Sequence, residues 1–206
     1  MLFKKEFNDS FKSLLIWASI ISIIYIIIIA LYPSIISSSN NINEMLEGFS
    51  PEMLEIFNMD IIELSKYSGW YTSEGLIFVI LGIGIYSAIL GSSIVLKEEN
   101  DRTIEYLAVL PISRTKILLT KIIVGIIDIL LITLIVGLIN TIGASIIEEI
   151  NFIQILMISI TPYLTSLILF FISLFISMFF KKTNKTLPIS IGLVFGFYLI
   201  DILTKL

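Results

Sequence analysis

The chain has 206 residues, is 57% apolar with a mean hydropathy of +1.02, and carries a formal charge of −4; soluble domains are only about 45–50% apolar, so its solvent is the bilayer. Cysteine and histidine are both absent, which excludes disulfide frameworks, thiol nucleophiles, histidine metal ligands and Ser-His-Asp hydrolysis. No GxxxxGK[ST] loop occurs, so the chain does not hold ATP in the P-loop manner.

The first element is MLFKKEFNDSFKSLL. Helical spacing puts Leu2, Phe3, Phe7, Phe11, Leu14 and Leu15 on one face and Lys4, Lys5, Asn8 and Lys12 on the other. This predicts an amphipathic helix over 1–13 lying in the membrane interface. Apolar runs able to cross roughly 30 Å of hydrocarbon follow at 14–32, 71–96, 117–142, 153–180 and 186–203. The first run is too long for a signal peptide and ends in LYPS without a small-residue cleavage site, so it is expected to stay attached. Between the first two runs, 37–69 is too polar to cross. Ser50 with Pro51, and the capping-box spacing of Asp60 and Glu63, predict two short helices there. Pro162 lies inside the fourth run and predicts a kink, whereas Pro188 falls in the first turn of the fifth and is harmless. The fold class is therefore all-α, a polytopic membrane helix bundle of five spans in a single domain over 1–206.

Basic residues set the orientation. With the N-terminus in the cytoplasm, Lys4, Lys5, Lys12, Lys97, Arg102, Arg114, Lys116, Lys121, Lys181, Lys182 and Lys185 lie inside, and only Lys66 and Lys205 lie outside. The expected location is the plasma membrane. Five spans bring 201–206 to the outer face, and a sixth span beyond residue 206 is expected. Glu44, Glu47, Glu52, Glu55, Asp60 and Glu63, with Glu148 and Glu149, make the outer face negative; a solvated helix surface is the simpler reading of these acids.

The segment KEENDRTIEYLAVLPISRTK, 97–116, joins the second and third spans on the cytoplasmic side. Asn100 or Asp101 can cap a short helix with Ile104, Leu107, Ala108 and Leu110 on one side and Arg102, Glu105 and Tyr106 near the other. That helix must stop before Pro111. Ser113 can cap the next helix, and Arg114 and Lys116 stand where the chain re-enters the membrane. The result is a helical knob of roughly nine residues, about 13 Å long, where a simple reversal needs only about 2–8 residues.

These residues resemble the cytoplasmic segment of ABC-2 type transporter permeases: acidic residues, a Thr-Ile-Glu-Tyr-Leu-like run, then Leu-Pro-Ile-Ser-Arg and a lysine a turn or two later. The match takes in Glu98, Glu99, Thr103, Glu105, Leu107, Pro111, Ser113, Arg114 and Lys121; Arg102 stands where many members have glycine. A basic N-terminal helix, an acidic outer loop and KKTNK before the fifth span extend the likeness along the chain. Such permeases usually have six spans. The resemblance implies a membrane subunit without its own ATPase site, which pairs with a second permease copy or a related permease. It implies two ABC ATPase subunits docked on 97–116 and carrying ATP and Mg²⁺, and export of a substrate when they close. Ile104, Leu107 and Leu110 would enter a groove on the ATPase, and the charges would fix register. No nucleic acid, cofactor or metal site is expected on the chain itself.

Two aspartates lie within apolar runs. Asp128 is near the middle of the third span and Asp201 near the end of the fifth, and an intramembrane acid is a functional candidate by default. Asp128 is a candidate for the translocation path. It could also pair with Lys121, seven residues and about 10.5 Å away on the same face, or hydrogen-bond a Ser or Thr of another helix. A proton-coupled carrier using Asp128 is the alternative function; an intramembrane aspartyl protease using Asp128 and Asp201 is a further one, against which the Gly-x-Gly-Asp flank is missing. Gly84, Ala88 and Gly91, and the pair Gly192 and Gly196, mark close helix contacts, within the subunit or at a dimer seam.

Overall fold

The computed structural model describes residues 2–37, 67–100, 112–147 and 152–204. The predicted short helices around Ser50 and Asp60, and the knob from Asp101 to Pro111, lie outside the described residues. Every described element is helical or a turn. In chain order these are α1 (Leu2–Ser37), α2 (Tyr67–Trp70), a π-helical turn (Tyr71–Gly75), α3 (Leu76–Ser93), α4 (Lys97–Asn100), α5 (Arg114–Ile147), α6 (Phe152–Ser177) and α7 (Thr183–Thr204). Among the described residues, α1, α3, α5, α6 and α7 are long and apolar enough to cross a membrane. The chain is an all-α polytopic bundle.

Lipid leaves a helix little choice but to satisfy its own backbone, and the sequence gives α1 no reason to stop. No glycine or proline occurs between Leu2 and Tyr32, and α1 runs unbroken for 36 residues, with Pro33 in its last turns. The change of element expected near residue 13 is absent. At 1.5 Å per residue α1 is roughly 54 Å long, well beyond the hydrocarbon thickness. Its inward face reads Glu6, Leu14, Ala18, Ile21, Tyr25 and Tyr32, all buried. The phenylalanine row turns the other way: Phe3 and Phe11 are exposed, and Phe7 stacks on Phe3 and meets Phe11 at a tilt along the helix.

Helix α6 also continues through its proline, Pro162. Hydroxyls along the spans fold back onto their own helices, as Ser87 onto the Gly84 carbonyl at 2.8 Å and Thr133 onto that of Ile129 at 2.8 Å, which removes their polarity from the lipid.

Helix α6 packs most extensively on α3, α1 packs along α5, and α7 leans on α3. Phe170 is the wedge between α3 and α5. Its backbone carbonyl lies against Gly91 of α3, its ring lies over Gly125 of α5, and it is fully buried. Gly84 faces Leu169 and Val194, so the α3 small-residue stripe serves packing within the chain.

Helices α1 and α5 run side by side in fixed register. Glu6 meets Lys121 and Tyr25 meets Asn140, both pairs 115 residues apart, so the alignment holds over roughly 28 Å. At the Tyr25 level, the Tyr25 and Tyr67 hydroxyls both donate to Asn140 Oδ1, at 2.6 and 2.9 Å, and stand 3.1 Å from each other. The Asn140 amide donates to Ser159 Oγ at 3.4 Å. Replacing Asn140 by leucine removes the acceptor that the two tyrosine hydroxyls share. The expected cost is about 1–2 kcal/mol, since intramembrane hydrogen bonds are individually modest. Thermal unfolding checks this, and Tyr25→Phe added to Asn140→Leu should cost little more. Full additivity of the two losses would mean that the cluster does not act as a unit.

Candidate functional site

The root of the 97–116 segment is fastened from three sides. After Ser93 a single turn, closed by the Ile94 N–H on the Leu90 carbonyl at 2.9 Å, leads into the four-residue helix α4. From α5, Lys121 reaches in, buried at 3% exposure. Its Nζ donates to Glu6 Oε2 of α1 at 3.0 Å and to Glu98 Oε1 of α4. From α1, Asp9 pairs with Lys97 at 3.3 Å, half exposed. From α7, the Thr183 N–H donates to Asn100 Oδ1 at 3.5 Å, and the Asn100 amide bonds Thr183 Oγ1. Asn100 thus acts across the chain as a cap for the first N–H of α7 and is the last residue of α4; the helix it was expected to open lies outside the described residues. One turn further along α7, Thr186 Oγ1 donates to the Ser92 carbonyl at 3.5 Å.

The physical centre of this knot is Lys121. A cation withdrawn from water needs a carboxylate held in good geometry, and α1 and α4 each supply one. The pairing with Asp128 considered from sequence is not formed, because a carboxylate on a neighbouring helix at 3.0 Å outcompetes one two turns away on the same helix. Glu98 is therefore a buried ion-pair member. Ser113 caps α5, its Oγ accepting from the Lys116 N–H at 3.3 Å, and Arg114 is exposed just after it. Thr103, Ile104, Glu105, Leu107, Leu110 and Pro111 lie outside the described residues, as does the side chain of Glu99. Glu6 lies outside the motif altogether, and the motif takes in Lys121 without giving it these partners. The signal for Lys121 is its depth, seven residues into α5 and followed by an apolar stretch, where an ammonium demands a partner.

Asp128 is fully buried, and among the described residues neither of its oxygens has a hydrogen-bond partner. Ser10 of α1 and Tyr86 of α3 are among the side chains near it. Asp201, on the last turn of α7, is exposed and lines a cavity of about 370 Å³ walled by α3, α6 and α7, among them Ile80, Thr165, Leu169 and Tyr198. A catalytic aspartyl dyad requires two carboxyls sharing a proton; with both Asp128 oxygens unpartnered, that arrangement is not formed.

A family model described as ABC-2 family transporter protein matches residues 1–204. No curated protein and no solved structure matches the chain. With five membrane-crossing helices beneath a match of nearly full length, the chain belongs to the ABC-2 transporter family and is a multi-pass permease of an ABC transporter.

Proposed function

We propose that this permease is the membrane half of an exporter driven by a separate ABC ATPase, which docks on segment 97–116 and carries the ATP and Mg²⁺. The permease works as a pair with a second copy or a related permease, in the plasma membrane, with its N-terminus in the cytoplasm. The observation that carries this reading is the anchorage of the segment's root. Lys97, Glu98 and Asn100 tie it to α1, α5 and α7 respectively, so a displacement imposed on the segment is transmitted to three spans. Lys97, paired with Asp9, and Lys121, paired with Glu6 and Glu98, gather at the same end of the bundle as the N-terminal turns of α1, which fits a cytoplasmic face.

Replacing Leu107 by glutamate is the direct test. A charge buried unpaired at an interface core costs several kcal/mol, so the ATPase should be lost in a pull-down from detergent. Arg114→Ala should cost about 1 kcal/mol or less, as an exposed charge. Full retention of the ATPase by the Leu107→Glu variant removes the docking role. Because the native chain has no cysteine, single cysteines report topology without a mutated background. Lys182→Cys should label only after the membrane is opened, and Asn151→Cys in intact cells; the opposite pattern reverses the orientation.

A further inference from the structure

We propose that Lys121 is a shared latch, holding α4 and α1 together through Glu98 and Glu6, and that displacement of the 97–116 segment frees Glu98 while Lys121 stays with Glu6. This rests on the reading that a partner acts on 97–116, although the latch itself belongs to the chain alone. Glu6 and Lys121 are then positioning residues for coupling.

The argument starts from stoichiometry. One buried ammonium faces two buried carboxylates, with Lys121 at 3%, Glu6 at 7% and Glu98 at 9% exposure. A purely structural lysine needs one carboxylate. With two, either can leave and the cation still has a partner, so parting one arm avoids the orphaned charge that makes a simple buried pair so expensive to open. Among the described residues the other ties on α4 are light: Lys97 with Asp9 is half exposed, and the Asn100 clip to Thr183 is neutral and exposed.

Geometry then decides which arm moves. Glu6 stands on a 36-residue helix whose register with α5 is fixed a second time by Tyr25 and Asn140. Glu98 stands on a four-residue helix set off from α3 by a turn. Lys121 and Glu6 therefore form the fixed half, and Glu98 the half that travels with the segment.

Hydrogen exchange of the full-length permease in lipid nanodiscs tests this without any ATPase. Glu98→Gln keeps shape and removes the charge. Residues 94–100 should exchange roughly tenfold faster, equivalent to about 1.4 kcal/mol, while 118–124 of α5 and 4–9 of α1 keep their protection. Glu6→Gln should do the reverse, loosening 4–9 and leaving 94–100 protected, because Lys121 then depends on Glu98 alone. Equal loosening of all three segments by Glu98→Gln overturns the latch in favour of a rigid structural triad, as does unchanged exchange at 94–100, and that variant alone is decisive if Glu6→Gln fails to fold. A pull-down with the ATPase reads the docking proposal separately, so the two can fail independently.

Discussion

Lys121→Met is expected to destabilise the permease by about 3–5 kcal/mol, the usual cost of stripping one partner from a buried ion pair. Methionine keeps much of the lysine stem, so the packing loss is small and the electrostatic loss dominates. Glu6 and Glu98 would be left as neighbouring buried carboxylates with no cation between them. The measurement is the thermal midpoint and the yield of monodisperse protein in detergent. The decisive companion is the triple variant Lys121→Met, Glu6→Gln, Glu98→Gln, which neutralises the whole cluster. Replacing all members of a buried charged group is often close to neutral where removing one is not, so the triple variant should recover most of the loss. A Lys121→Met protein that melts with the wild type would mean that both carboxylates reach water and that the knot has no energetic weight.

The span pattern was legible because lipid imposes one rule on every residue that crosses it. Uninterrupted apolar runs predicted five spans, and α1, α3, α5, α6 and α7 stand at those runs. Ser113 as the cap of α5 was legible too, since a hydroxyl at that offset has a local partner in the Lys116 N–H. What depended on neighbours was hidden. The N-terminal segment looked like a separate surface helix because its phenylalanines and lysines segregate, but its continuation into α1 follows from Glu6 meeting a lysine 115 positions away. Sequence spacing shows only intrahelical neighbours, so it pairs Lys121 with Asp128, the nearest acid on its own helix. The π-helical turn at Tyr71–Gly75 leaves no trace in hydrophobic periodicity, since a single widened turn shifts the pattern by less than its natural scatter. Glycine stripes were ambiguous for the same reason: Gly84 and Gly91 face α6, whereas Gly192 and Gly196 have nothing within 4 Å of an added Cβ.

That contrast sets the second large effect, at Gly91. A methyl group there would intrude on the Phe170 carbonyl oxygen and stand 3.1 Å from both the Leu174 nitrogen and the Ser173 Cβ. The first two are backbone atoms of α6, so no rotamer change relieves the contact and the helices must part. Overpacking typically costs about 1–3 kcal/mol, and the upper end or more is expected here, because α3 on α6 is the most extensive helix contact in the bundle. The gain in helix propensity of alanine over glycine, about 1 kcal/mol, does not offset it. Gly84→Ala should be milder, since its close neighbour is the Leu169 Cδ1 at 3.0 Å, the end of a flexible side chain. Gly192→Ala should leave the subunit intact or slightly firmer, so any loss of function there would point to a surface outside this chain. Thermal unfolding and size-exclusion profiles of the three variants should rank them Gly91, Gly84, Gly192 in decreasing damage. If Gly91→Ala proves as stable as Gly192→Ala, the close approach of α3 and α6 is not how this bundle is held together.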